Sequence, residues 1–245
     1  MAEQIITPEG RRIACRMRDG AGPAVMFLGG FRSDMEGTKA LWLDDWARAQ
    51  GRAFVRFDYS GHGASGGEFT EGCIGDWAAD AAAVLALVNG PVVLVGSSMG
   101  GWIALLLAKG APPGRVAGLV TIAAAPDFTE DSMWAGFDAG TRARLMAGGR
   151  VEVASDYGAP YVITRRLIED GRARLVLRDA LELPFPVRML QGTADRDVDQ
   201  AVALRLLAHA TGPDIRLTLV KGADHRFSSP ACLDLIGQAM AEVSG

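Results

Sequence analysis

The run Val92-Val93-Leu94-Val95 leads without a break into Gly96-Ser97-Ser98-Met99-Gly100-Gly101, and a helical pattern opens directly behind it. No other stretch constrains the chain as strongly. An apolar run of strand length that meets a helix with no loop between them demands a very tight turn, with the serine between two glycines at its apex. Side chains at 96 and 100 would collide with neighbouring elements there, and the strained backbone holds the Ser98 hydroxyl outward. A phosphate-binding loop would need a Gly-Lys-Ser/Thr sequence, which does not follow. Ser97 has Val95 and Met99 where the glycines would have to be, so Ser98 is the candidate nucleophile.

The same strand-then-helix order recurs along the chain. Apolar runs lie at 24–28, 53–57, 92–95, 117–123, 187–190 and 215–220, and helical patterns at Thr38–Gln50, Ile74–Val88, Gly101–Lys109, Gln200–His209 and Pro230–Val243. Strands apolar on both faces belong in a sheet covered by helices on each side, and the alternation predicts a mostly parallel, doubly wound α/β architecture. An opening pair of β-prone runs, QIIT and RIACRMR, joined through Pro8-Glu9-Gly10, adds an antiparallel hairpin and brings the expectation to eight strands. With 49% hydrophobic residues in 245, one sizeable core can form, and residues 1–245 read as a single domain. The rhythm breaks once, between Pro126 and Pro186, where helical stretches are expected at Ala139–Ala147 and Pro160–Ala180. That segment reads as an insertion over one end of the sheet.

A formal net charge of −4 gives no field that would hold phosphate backbones or anionic lipid, which disfavours nucleic-acid and membrane-surface partners. Cys15, Cys73 and Cys232 are far apart and show no zinc-site spacing, so a reducing compartment is expected and no metal. The first residues lack the apolar core of a signal peptide, and no run is long enough to span a bilayer. The expected location is cytoplasmic. The sequence is silent on oligomeric state.

A serine hydroxyl needs a base, and the choices are His62, His209 and His225. His225 lies in the loop between the last strand and the last helix, at the sheet edge where the tight turn also emerges, and it follows the serine as the base does in a Ser-acid-His chain order. His62, in Asp58-Tyr59-Ser60-Gly61-His62-Gly63, is expected to brace loops by hydrogen bonds. His209 falls near a helix end, where a surface or capping role is expected. The acid should follow the strand VRML. Asp195, Asp197 and Asp199 compete, and Asp195 is preferred because the other two approach a helix start, where carboxylates usually cap. Oxyanion donors are expected from the backbone N–H of Met99, at the helix N-terminus, and of Phe31, after Gly29-Gly30.

Four strings together, at 29–40 (GGFRSDMEGTKA), 57–67 (FDYSGHGASGG), 96–102 (GSSMGGW) and 224–228 (DHRFS), resemble the α/β-hydrolase superfamily. More narrowly, they resemble its group of palmitoyl-protein thioesterases and acyl-glucuronide esterases, the α/β-hydrolase-domain protein ten family with its bacterial relatives. The Asp-Met-x-Gly-Thr-Lys-Ala string is the most specific. The resemblance implies the α/β-hydrolase fold, Ser98, Asp195 and His225 as triad, and Phe31 and Met99 near the oxyanion. It also implies that 127–183 forms a small helical cap over the carboxyl ends of the strands. Where many relatives have His-Gly, this chain has Gly29-Gly30, so a side chain that often orders that loop is missing.

The expected chemistry is two-step acyl transfer from a carboxylic ester or thioester through an acyl-enzyme, on a small-molecule or acylated substrate and without a cofactor. Amidase or perhydrolase chemistry on the same triad, and a silent ligand-binding protein on this fold, are the alternatives. Among the cap's apolar residues (Phe128, Met133, Trp134, Phe137, Leu145, Met146, Tyr157, Tyr161), Trp134 and Phe137 are expected to line the acyl site. Ordinary cap core is the competing role. The cap arginines are expected to form a solvated face.

Overall fold

The computed structural model describes residues 3–154 and 160–244. Its elements run β1 (Glu3–Ile6), β2 (Arg12–Arg18), β3 (Ala21–Leu28), α1 (Thr38–Ala49), β4 (Arg52–Phe57), α2 (Ile74–Ala86), β5 (Val92–Ser97), α3 (Met99–Gly110) and β6 (Val116–Ile122). An interposed segment carries α4 (Ala139–Gly148), β7 (Arg150–Val153), β8 (Tyr161–Thr164), α5 (Arg165–Arg172) and β9 (Leu181–Glu182). The chain then closes with β10 (Val187–Gly192), α6 (Gln200–His209), β11 (Ala210–Thr211), β12 (Ile215–Val220) and α7 (Pro230–Val243).

Eight strands form the main sheet in the order β1-β2-β4-β3-β5-β6-β10-β12. The β1–β2 and β2–β4 pairings are antiparallel and the others parallel, so the sheet is mostly parallel as expected. Alternation along the central strands explains why both faces are covered. On β3 and β5, Met26, Leu28, Val92 and Leu94 face a core shared with Trp77 of α2 and Trp102 and Ile103 of α3. Val25, Phe27, Val93 and Val95 face the other side, against Leu43 of α1 and Ile236 and Met240 of α7. Each strand therefore removes both of its apolar rows from water, which requires helices on both sides.

The segment between β6 and β10 differs from the helical cap expected for it. The stretch 160–180, expected to be helical, begins instead with β8, which pairs antiparallel with β7, and only Arg165–Arg172 is α-helical. The β-branched residues Val162, Ile163 and Thr164 favour the strand, and Thr164 also caps α5 by accepting from the Leu167 N–H at 3.1 Å. A π-helical turn over Thr129–Trp134 leads from β6 toward α4. Buried Asp127, at φ 59, anchors the segment: its carboxylate accepts from the N–H groups of Val176 at 2.8 Å and Leu177 at 3.0 Å, and from Arg178 at 3.2 Å.

The arginines of this segment are not a freely solvated face. Arg172 pairs with Glu130 at 2.6 Å, Arg178 with Asp127 and Asp131, and Arg166 with Asp76 of α2 at 2.7 Å. Apart from the one to buried Asp127, these pairs are partly solvent-exposed and contribute little singly, roughly 0–1 kcal/mol each, so their effect is to fix how the segment docks.

Candidate active site

The turn between β5 and α3 is as tight as the sequence requires. Ser98 sits at φ 55 and ψ −120, a strained conformation for a residue with a side chain. A Cβ on Gly96 would lie 2.3 Å from the Gly100 carbonyl oxygen, and one on Gly100 would lie 2.1 Å from the Leu28 carbonyl oxygen. The Ser98 N–H donates to the Ile122 carbonyl at 2.9 Å, and the Gly101 and Ala125 N–H groups donate to the Ser98 carbonyl at 2.9 and 3.1 Å. Helix α3 begins at Met99, two residues earlier than the pattern suggests, because the turn passes directly into it.

Loops at the carboxyl ends of β10 and β12 bring the other two candidate residues to this turn. His225 Nε2 lies 3.1 Å from Ser98 Oγ, and its Nδ1 lies 2.9 Å from Asp195 Oδ2. Asp195 Oδ1 accepts from the N–H groups of Asp197 and Val198, both at 2.9 Å. Burial alone would raise the Asp195 pKa. The His225 ring and these two backbone donors outweigh it and hold the carboxyl below the usual range. Asp199 caps α6, accepting from the Ala201 N–H at 2.8 Å, as its position suggests. Asp197 lines the adjacent cavity instead. Asp195, Asp197 and His225 offer potential ligand atoms within 4.8 Å of one another, but both Asp195 oxygens already accept hydrogen bonds that a cation would have to displace.

Two residues that the sequence did not single out complete the surroundings. Buried Gln191, at the end of β10, donates from Nε2 to Asp195 Oδ2 at 2.9 Å and to the Val198 carbonyl at 3.1 Å. A polar side chain directly after the apolar pair Met189-Leu190, at the end of the strand that leads to the acid, was the available signal. Lys39 lines the cavity and donates from Nζ to the Arg226 carbonyl, next to His225. Burial pushes its ammonium down to about 8.

A cavity of about 420 Å³ opens beside Ser98 and His225. Phe31 and Met99 both line it, and Gly30 lets the Phe31 loop come close: a Cβ at position 30 would stand 3.3 Å from Ser98 Cβ. Its apolar wall is formed by Phe128, Met133 and Tyr161 together with Phe31. Phe31 meets Phe128 and Tyr161 edge-on, each with ring centroids 5.7 Å apart. Trp134 and Phe137, expected as acyl-site residues, are not among the lining residues and pack against the core. One step along a helical turn carries the side chain roughly a quarter turn round. Met133 therefore reaches the cavity, whereas Trp134 turns away to lie beneath the guanidinium groups of Arg142 and Arg172, 5.3 and 4.4 Å from its ring centroid. Tyr157, also among the expected apolar set, falls outside the described residues.

The other two histidines lie away from this line: His62 is buried and accepts from the Arg32 N–H in the loop carrying Phe31, and half-buried His209, at the end of α6, contacts the Asp179 carbonyl at 2.7 Å.

The sheet order, the strained serine turn at the carboxyl end of β5, and the carboxylate and imidazole brought into line with it from the ends of β10 and β12 are the fold and arrangement of an α/β hydrolase. The chain belongs to the alpha/beta hydrolase family, whose model matches residues 25–232. Within that family it is 32% identical to the mitochondrial palmitoyl-protein thioesterase ABHD10 of Rattus norvegicus, over 94% of this chain and 77% of that protein. It is 30% identical to the pimeloyl-[acyl-carrier protein] methyl ester esterase of Methylococcus capsulatus, over 79% of this chain and 84% of the other. Among solved structures, mouse alpha/beta hydrolase domain-containing protein 10 superposes with a TM-score of 0.91 at 29% identity, covering 99% of this chain and 97% of that one.

Proposed function

We propose that the protein hydrolyses carboxylic esters or thioesters of apolar acyl groups by two-step acyl transfer. The observation that carries this reading is the Ser98–His225–Asp195 line, 3.1 and 2.9 Å between successive partners, opening onto a cavity walled by Phe31, Phe128, Met133 and Tyr161. Ser98 Oγ attacks the acyl carbonyl while His225 Nε2 takes its proton. The developing oxyanion is held by the N–H groups of Phe31 and Met99, and His225 returns the proton to the leaving alcohol or thiol. Water activated by His225 then releases the acid and restores Ser98. Asp195, kept ionised, holds the imidazole with Nδ1–H toward it and offsets the charge that the ring acquires. The names of the relatives, a thioesterase and an ester esterase, support the same bond classes.

Segment 127–183 acts in this reading as the cap that shapes the acyl site, within one domain over residues 1–245. Three buried, free cysteines support a reducing compartment, and among the described residues no helix is long and apolar enough to cross a membrane. The test is turnover of p-nitrophenyl acyl esters and acyl-CoA thioesters, with mass spectrometry of the quenched enzyme. Steady hydrolysis together with acylation mapped to Ser98 is the expected result. Absence of turnover across both series would overturn it.

A further inference from the structure

The turn that carries the Phe31 N–H is held in a conformation its sequence does not favour. The Ser33 N–H donates to the Gly30 carbonyl at 3.1 Å, closing a four-residue turn whose third residue, Arg32, has φ 58. Positive φ at that place belongs to turns with a flipped central peptide, where glycine or asparagine is the usual occupant. Rotating the Phe31–Arg32 peptide back toward the common turn would relieve an arginine of this strain, so something must hold the peptide over.

His62 makes the bond that does so. The Arg32 N–H, which belongs to the central peptide, donates to His62 Nε2 at 3.2 Å, while His62 Nδ1 lies 3.1 Å from the Ser60 carbonyl. A carbonyl only accepts, so Nδ1 carries the proton and Nε2 is left as a bare acceptor. Ser60 is itself fixed: its N–H and hydroxyl donate to Asp80 Oδ2 at 2.9 and 2.7 Å, and Trp77 Nε1 donates to its carbonyl at 3.1 Å. Asp80, fully buried, is paired with Arg11 at 2.6 Å. The charged groups acting on the imidazole are Asp80 and Arg32, and its other ring neighbours are Tyr59, Phe69 and Trp77. Burial, with Arg32 adding to it, lowers the His62 pKa against the opposing pull of the Ser60 carbonyl and Asp80, so the ring is neutral near pH 7.

We infer that His62 is a positioning residue for the oxyanion turn: its neutral Nε2, in the tautomer imposed by Ser60, locks the strained Arg32 peptide and thereby the placement of the Phe31 N–H. This rests on the acyl-transfer reading above. His62 acts through the turn and not on substrate, so its loss should appear in kcat while KM stays nearly unchanged.

The experiment compares wild type, His62→Ala and His62→Gln on a p-nitrophenyl ester, with trifluoromethyl ketone inhibition and 15N NMR of the histidine rings. His62→Ala should lose about tenfold or more in kcat, short of the roughly 10²–10³ that follows removal of a whole oxyanion donor. Trifluoromethyl ketone affinity should fall by a similar factor, since its adduct with Ser98 places an oxyanion at the same donors. His62→Gln, which keeps a neutral acceptor, should recover much of the loss. In the wild-type protein near pH 7, Nδ1 of His62 should be protonated and Nε2 bare. The Nε2–H tautomer or an imidazolium there overturns the inference even if His62→Ala fails to fold, as does a folded His62→Ala with wild-type kcat. A wild-type protein that hydrolyses neither p-nitrophenyl esters nor acyl-CoA thioesters overturns the acyl-transfer reading instead, and the tautomer still reports whether the His62–Arg32 bond exists.

Discussion

Gln191 and His225 converge on one oxygen: each places a ring or amide nitrogen 2.9 Å from Asp195 Oδ2. The other oxygen of Asp195 is taken by the two backbone donors of the following turn, so the carboxylate cannot rotate without losing partners. Asp195→Asn should lower kcat by on the order of 10³–10⁴, through loss of the orienting charge and a wrong imidazole tautomer. Gln191→Met, which keeps the volume and removes one donor, should cost about tenfold in kcat with little change in KM. Asp197→Asn and Asp199→Asn should matter far less, because neither carboxylate is placed against His225 Nδ1. Steady-state kinetics of the four variants checks this, and a larger loss from Asp197→Asn than from Asp195→Asn would reassign the acid.

Ser98→Ala should abolish ester turnover and labelling by a fluorophosphonate probe, whereas Ser97→Ala should keep much of both. Ser98 Oγ is the hydroxyl within 3.1 Å of His225 Nε2. Gel-based labelling decides the matter, and labelling of Ser98→Ala at the wild-type rate would rule out the assignment.

Shortening Phe128, Met133 or Tyr161 to Ala should change the acyl-chain-length profile of kcat/KM more than it changes turnover of an acetyl ester, because these side chains form the apolar wall beyond Ser98. Trp134→Ala should behave differently. It removes the ring beneath Arg142 and Arg172 and should lower stability by about 1–3 kcal/mol, with an equal fractional effect on short and long acyl esters. Urea melts and an acetyl-to-palmitoyl ester series separate the two effects. A profile altered by Trp134→Ala and untouched by the other three would reverse the assignment.

Lys39 gives a pH signature of known sign. Burial first, and Arg226 in addition, hold its ammonium at about 8 in the folded protein against 10.5 ordinarily, with Asp224 pulling the other way. Below about 8 the group is charged in both folded and unfolded chains, and the burial cost is felt in full. Between about 8 and 10.5 the unfolded chain holds a proton that the folded one has released, so this group's contribution makes stability rise with pH. The stability of wild type minus that of Lys39→Met should therefore climb across this window in urea titrations, and a flat or falling difference would show that the ammonium is solvated.

The strand-to-helix join around Ser98 was legible because glycines at 96 and 100 can be required by local geometry alone, and a Cβ added at either would come within 2.3 Å of a backbone oxygen. The alternation of apolar runs likewise determined the covered, mostly parallel sheet, since strands such as Val92–Ser97 are apolar on both faces. Chain order, together with the loops after the last two strand runs, pointed to His225 and Asp195, which the folded chain places in line with Ser98.

What the sequence could not determine depends on which way a side chain points once distant segments meet. Met133 and Trp134 are adjacent and both large and apolar, and only the path of the π-helical turn sends the first to the cavity and the second beneath two arginines. Residues 161–164 became a strand because residues 150–153 lay alongside to pair with them, a partner that no local propensity reveals. The bond from Arg32 to His62 spans 30 residues and that from Gln191 to Asp195 only four. Both are decided by tertiary structure, because a buried polar atom takes whatever complementary group the assembled fold brings within about 3 Å.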